Sequence, residues 1–212
     1  MLQLLLGAAV GAAATPAVTA AAMYLQKTTR VRPAGQVVWV VGIAAAVAGA
    51  AVAALPGGGT TVAVYAVFAA AILTAAVVDV AEQRIPDVIT YPLTVGGILG
   101  LPWLPGHHGL WAFLGPVVGA IVSGLFALVS ALIGDQGLGD VKLAVAIGAW
   151  MAHLGVVPWA AGAAFGQILM VVVVGGAMLH RRRRGLPHAL TALAPALTAG
   201  AVIAVTIAAT YS

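Results

Sequence analysis

Long apolar runs separated by short polar connections make up most of this sequence. Hydrophobic residues account for 63% of the 212 residues and charged residues for only 7%, so a water-soluble domain would lack the polar surface to cover itself. About 20 consecutive apolar residues are enough for a helix to cross a bilayer. We therefore predict an all-α, polytopic membrane bundle of about eight transmembrane helices, over residues 2–24, 37–55, 61–79, 88–103, 110–133, 141–154, 156–178 and 190–210.

The placement of the basic residues predicts the topology. All of them lie in or beside the first, third, fifth and seventh connections between these runs: Lys27, Arg30, Arg32, Arg84, Lys142 and residues 181–184. Cytoplasmic connections carry the excess of Lys and Arg, so the odd-numbered connections are expected at the cytoplasmic face. Both termini are then extracytoplasmic, in agreement with an even number of spans.

Composition also limits the kinds of site that the chain can hold. The sequence has no Cys, which excludes disulfides, thiol nucleophiles and cysteine-ligated zinc. No pair of His residues has the i, i+4 spacing of a helical metal site, so we predict no metal. The net charge of +4 reflects membrane topology, and we expect lipid as the surroundings and no nucleic-acid partner. The connections are short, which predicts one membrane domain spanning residues 1–212.

The five acidic residues are the most informative feature of the sequence. Asp79, Glu82, Asp87, Asp135 and Asp140 all lie in or beside the third and fifth connections. Acidic residues contribute little to the topology rule, so their clustering at one face needs another reason. We infer that the two connections form one site.

Asp79 follows an apolar run that contains no charge, so its carboxyl is expected at the edge of the hydrocarbon layer, where a charge is costly. It also lies toward a helix C-terminus, where the helix dipole disfavours negative charge. The alternative is a structural ion pair with Arg84 across the turn. Pro86 suits the first position of the next helix, and Asp87 in its first turn is interpreted as a capping charge.

The second acidic segment, residues 134–143, has three glycines within its first six residues, directly before an apolar helix. Asp140 at the start of that helix would have its carboxylate held by free backbone amides. Taken alone, it reads as an ordinary N-cap. A second carboxyl at Asp79, at the same membrane depth, favours a shared site instead.

Two neighbouring carboxyls in a low-dielectric environment share one proton, because both cannot ionise together. The ionised carboxylate can deprotonate water while the protonated carboxyl hydrogen-bonds a peptide carbonyl, so hydrolysis needs no cofactor. From the expected helix ends we predict Asp140 as the base and Asp79 as the proton-bearing acid. The pair titrates as a unit, which leaves the opposite assignment open.

These residues resemble the type IV prepilin peptidases and their archaeal preflagellin relatives, which are aspartyl proteases with a Gly-x-Gly-Asp motif. Residues 79–90, with Arg-Ile-Pro-Asp at positions 84–87, look like the first aspartate motif of that family, and residues 137–143 look like the second. A weaker likeness covers residues 186–188 together with Ala194 and Pro195.

The resemblance implies a substrate of the prepilin or pseudopilin type, cut at the cytoplasmic membrane face between a short basic leader and a hydrophobic helix. Asp79 and Asp140 would be catalytic. We predict substrate contacts at Gly137, Gly139, Lys142, Glu82 and Asp135. For Glu82 and Asp135, ordinary solvation of a cytoplasmic connection is an equally good account.

Larger bacterial members of that family carry a cytoplasmic domain with Cys-x-x-Cys motifs linked to N-methylation. Here the corresponding connection is about residues 26–36 and has no Cys, so the chain looks like the short, peptidase-only form, located in the plasma membrane. The main alternative is a small proton-coupled transporter that uses the same carboxylates as a relay, although such groups are expected near the bilayer midplane. An assembly subunit of a secretion machine is a third possibility.

Overall fold

The computed structural model describes residues 58–104, 109–133, 137–184 and 194–210, and this part of the chain is helical throughout, without strands. The helices are α1 (Gly58–Glu82), α2 (Asp87–Val95), α3 (Leu110–Ile133), α4 (Leu138–His153), α5 (Val156–Arg184) and α6 (Ala194–Thr210). Between α2 and α3, a π-helical turn (Gly96–Gly100) and a 3-10 turn (Leu101–Trp103) continue the chain. The predicted spans 2–24 and 37–55 lie outside the described residues.

Within the described residues, two helical stretches, Gly59–Asp79 and Leu110–Leu132, are long and apolar enough to cross a membrane. Val156–Val172 and Ala194–Thr210 are shorter apolar stretches. The all-helical architecture is therefore confirmed for this part of the chain, and the two apolar stretches are consistent with a membrane protein. The count of eight spans and the placement of both termini stay predictions.

Two helix boundaries differ from the predicted runs in ways that matter for the acidic residues. Helix α1 continues to Glu82, so Asp79 lies about one turn before the helix end. Helix α4 begins at Leu138, three residues earlier than predicted, and its first turn contains Gly139 and Asp140. A glycine in a helix interior lowers stability by roughly 1 kcal/mol. Gly139 lies in the first turn of α4, so it is compatible with this helix.

Close backbone contacts between glycines join the helices in pairs. A Cβ at Gly119 in α3 would collide with the Gly148 carbonyl of α4, and one at Gly148 would collide with the Gly119 carbonyl. Gly162 in α5 and Gly200 in α6 meet in the same reciprocal way. Small residues allow such an approach where lipid offers helices no hydrophobic driving force to associate. The result is an α3/α4 pair and an α5/α6 pair.

An aromatic cluster ties α1 and α2 to α4. The rings of Phe68 and Trp150 stack with centroids 4.4 Å apart, and the buried Tyr65 hydroxyl donates to the Trp150 carbonyl at 3.0 Å. Trp150 Nε1 in turn donates to the Leu93 carbonyl at 2.7 Å. Gly97 lies against the same indole, where a Cβ would come within 2.8 Å of it. These contacts set the rotation of α4 relative to α1 and α2.

Candidate active site

Asp79 lies near the end of α1 and forms hydrogen bonds through both its backbone and its side chain. Its carbonyl accepts from the Gln83 amide at 2.8 Å, and Gln83 adopts a left-handed conformation (φ 53°) that ends the helix. The side chain is buried, with 5% of its surface exposed. Its Oδ2 accepts a hydrogen bond of 3.0 Å from the backbone amide of Ala194, the first residue of α6.

Asp140 is the third residue of α4 and not its N-cap, which is Gly137. Asp140 Oδ2 accepts from the Gly137 amide at 3.3 Å, a contact that satisfies one free amide of the helix start. The other oxygen, Oδ1, is buried and has no hydrogen-bond partner among the described residues. With 8% of its surface exposed, Asp140 is more than a solvated cap.

The two carboxylates lie close enough for the charge of Asp79 to act on Asp140. Asp140 precedes the apolar run 141–154, outside the membrane-length stretches of the fold. Burial, and then the negative charge of Asp79, raise the pKa of Asp140 to about 7, against the opposing hydrogen bond from Gly137. A carboxyl with such a pKa retains its proton in neutral solution far more often than an ordinary aspartate.

These surroundings bear on the division of the proton between the two carboxyls, which stays a prediction. The prediction placed Asp79 at an unfavourable helix C-terminus, but the chain brings the start of α6 onto its carboxylate. An amide donor at a helix N-terminus stabilises the ionised form. Asp140 has one long hydrogen bond, is largely desolvated and faces a like charge. Because burial and the charge of Asp79 raise the pKa of Asp140, we expect Asp140 to carry the proton that the pair shares.

Gly139 brings the two acidic segments into contact. A Cβ at this position would lie 3.3 Å from Ile85 Cβ and 3.4 Å from the Ile85 amide nitrogen, so α4 packs directly on the backbone that follows α1. Ile85 is buried. Gly137 differs, because its φ of −79° suits any residue and a Cβ there would meet only ordinary contacts, the nearest at 3.8 Å.

Lys142 forms an ion pair with Asp87, with Nζ 2.7 Å from Oδ1. The ammonium also lies 5.3 Å from the centre of the Tyr91 ring. Asp87 is the first residue of α2, Pro86 is its N-cap, and no side-chain capping hydrogen bond is formed there. Asp87 thus lies in the first turn of its helix, as predicted. Its carboxylate also bridges α2 to α4, so Lys142 is engaged within the protein.

The structure describes the other predicted site residues only in part. Glu82 is the last residue of α1, and its side chain lies outside what the structure describes. Asp135 and the segment 186–188 also lie outside the described residues. The alternative ion pair between Asp79 and Arg84 stays a prediction. The substrate contacts predicted for Gly137, Gly139, Lys142, Glu82 and Asp135 stay predictions.

Two contributors to the site were not predicted as such. The amide of Ala194 binds Asp79 although 115 positions separate the two residues, and Ile85 supplies the surface on which Gly139 packs. Residue type does not reveal which backbone amide acts as a donor, but the likeness noted at Ala194 and Pro195 indicated this helix start. Ile85 was noted as part of the first aspartate motif, but no structural role was predicted for it.

Comparison with known proteins gives one result. A sequence model described as the type IV leader peptidase family matches residues 66–205, a stretch that includes both aspartates and the start of α6. No curated protein and no solved structure matches the chain.

Proposed function

Because this chain belongs to the type IV leader peptidase family, we propose that it is an intramembrane aspartyl endopeptidase in which Asp79 and Asp140 are the catalytic pair. Membership of the family indicates a membrane peptidase. The catalytic type, the substrate and the face at which it is cut are the content of the proposal. The observation that supports it is the burial of two carboxylates from different helices, near enough for the charge of Asp79 to raise the pKa of Asp140.

The surroundings of the two carboxylates suggest their roles. Asp79, which accepts the Ala194 amide, is ionised and removes a proton from a water molecule as the oxygen of that water attacks the peptide carbonyl carbon. Asp140 is protonated and gives its proton to the carbonyl oxygen. Asp140 Oδ1, buried without a partner among the described residues, is suited to face the reacting atoms.

The same two groups then complete the reaction. The protonated Asp79 transfers its proton to the leaving amine nitrogen while the C–N bond breaks, and Asp140 recovers a proton from the hydroxyl of the tetrahedral intermediate as the carboxylic acid product forms. Both carboxyls return to their starting states. One water is consumed, and no proton is gained or lost by the pair.

We propose as substrate a prepilin-like or pseudopilin precursor, cleaved between its short basic leader and its hydrophobic helix at the cytoplasmic face. The acidic residues around the pair support this choice, because a leader rich in Lys and Arg is attracted to negative charge. Glu82 and Asp135 flank the two aspartates in sequence. The absence of Cys supports a peptidase without the methyltransferase activity of larger relatives.

The test is to express the chain together with a prepilin-like precursor and to follow loss of the leader by mass spectrometry. Wild-type protein is expected to release the leader, and Asp79→Ala and Asp140→Ala are each expected to abolish release. Thr206→Ala is a suitable control because Thr206 is exposed on α6, away from the pair in sequence. Processing that survives either aspartate substitution, at equal amounts of protein in the membrane, would falsify the catalytic assignment.

A further inference from the structure

Ile85, in the segment between α1 and α2, and Asp87, the first residue of α2, both contact the start of α4. One contact is made just before Asp140 in the sequence and the other just after it. Before Asp140, Gly139 packs on the Ile85 backbone. After it, Lys142 forms the 2.7 Å ion pair with Asp87. Both partners belong to the chain that directly follows Asp79 and its helix, so the two contacts connect one aspartate to the other.

The aromatic links between α1 and α4 lie far from the carboxylates. In backbone contacts, α1 packs mainly against α6 and α2; among the described residues, its aromatic contacts with α4 are those of Tyr65 and Phe68 with Trp150 and of Tyr65 with His153. Trp150 is ten residues beyond Asp140, or about 15 Å along a helix. An aromatic contact at that distance leaves the separation of the carboxyls to be set locally.

Resting on the proposed function, we propose that the contacts Gly139–Ile85 and Lys142–Asp87 form a clamp that holds the two catalytic carboxyls at a working separation. Lys142 and Asp87 are then positioning residues: they act through Asp79 and Asp140 and do not touch the scissile bond. The clamp accounts for the placement of a basic residue two positions after an aspartate whose own carboxylate it does not pair with.

Because the Lys142 and Asp87 side chains are exposed, an effect of their ion pair on the rate can be distinguished from an effect on stability. The Lys142 and Asp87 side chains are 39% and 52% exposed, and ion pairs of that kind contribute little to stability. A displacement of one catalytic group by about 1 Å, in contrast, can lower a rate by up to about a hundredfold. Loss of the pair should therefore reduce the rate while leaving thermal unfolding almost unchanged.

The test compares two double variants that have the same net charge as the wild type. Asp87→Asn/Lys142→Gln removes the ion pair, whereas Asp87→Glu/Lys142→Arg retains it with different side chains. We expect the first to lower kcat for leader release by about tenfold, with KM and thermal unfolding nearly unchanged. The second is expected to recover most of the rate. In a double-mutant cycle, Asp87→Asn and Lys142→Gln should each cost about as much as both together.

A second readout follows the carboxyls themselves. If the clamp holds Asp79 near Asp140, its loss weakens the effect of one charge on the other, so the alkaline limb of the pH–rate profile should move to lower pH in Asp87→Asn/Lys142→Gln and stay in place in Asp87→Glu/Lys142→Arg. Infrared titration of the carboxyls reports the same shift without substrate.

The outcomes separate this proposal from the proposed function. A change in KM alone would place Lys142 on the substrate and overturn the clamp, as would wild-type kcat and pH dependence in the variant that lacks the pair. If the wild-type chain releases no leader, the proposed function fails, and the infrared titration still decides whether the ion pair controls the coupling of the two carboxyls.

Discussion

Asp79 accepts a hydrogen bond from the backbone amide of Ala194, 115 positions later in the chain. The carboxylate of Asp79, near the end of α1, is thus bound by the first residue of α6. An amide at a helix N-terminus carries partial positive charge, so this contact stabilises the ionised form of Asp79. It changes which member of the pair we expect to act as the base.

The assignment of the base can be tested by infrared titration of single variants. In Asp140→Asn the remaining carboxyl of the pair is Asp79, and in Asp79→Asn it is Asp140. We expect Asp79 to ionise at the lower pH, because its charge is stabilised by the Ala194 amide, whereas burial, the largest cause of the raised pKa of Asp140, is still present in Asp79→Asn. The reverse order would restore Asp140 as the base.

The pKa of Asp140 predicts how activity depends on pH. As the acid, Asp140 must carry its proton, and a pKa raised to about 7 keeps it protonated through mildly acidic solution. We expect kcat/KM to fall about tenfold for each pH unit well above 7. The check is a profile of kcat/KM from pH 5 to 9 in which each sample is afterwards returned to pH 6. Recovery of the rate excludes unfolding, and a flat profile to pH 9 would contradict the acid role of Asp140.

Gly139 and Gly137 offer a matched pair of substitutions. Gly139→Ala places a methyl group against Ile85, at 3.3 Å from its Cβ, and should displace α4 by a few tenths of an ångström, lowering kcat by roughly tenfold. Gly137→Ala meets no close contact and retains the amide that binds Asp140, so its kcat should stay within about twofold of wild type. Measured leader release gives both values. A greater loss for Gly137→Ala would mean that this glycine is needed for the approach of substrate.

The contact between α3 and α4 predicts an effect on stability. Gly148→Ala forces a methyl group into the Gly119 carbonyl and the Ser123 side chain, so we expect it to destabilise the protein by about 1 to 3 kcal/mol. Gly175→Ala in α5 meets nothing within 4 Å and should have a neutral or slightly stabilising effect, because alanine favours the helix. Thermal unfolding in detergent distinguishes the two. Equal melting temperatures would show that the helices separate easily at this contact.

The helices were predicted more accurately than the contacts between them. The apolar run 110–133 agrees with α3 (Leu110–Ile133), because the length of a span follows from the thickness of the bilayer. The ends near the acidic residues were less accurate. Polar residues and glycines give weak local preferences, and whether Gly139 and Asp140 join α4 depends on packing against Ile85, which is remote in sequence.

For the candidate site, the two aspartates could be singled out from the sequence, whereas the contacts around their carboxylates could not. Asp79 and Asp140 were singled out because charge at a membrane boundary is costly. Which of them keeps the proton depends on Ala194, a backbone donor in a different helix, and residue types do not report such a donor. The pairing of Lys142 with Asp87 was missed for a related reason, since each has a plausible local role at its own helix start.

The hydrogen bond that α6 provides also has a consequence for biosynthesis. A ribosome delivers Asp79 to the membrane long before it delivers Ala194, and in the interval the carboxyl lacks this amide donor. If Asp79 is the base, it must be ionised to act. We therefore expect the newly made chain to stay inactive toward neighbouring polypeptides in the insertion machinery until α6 has docked.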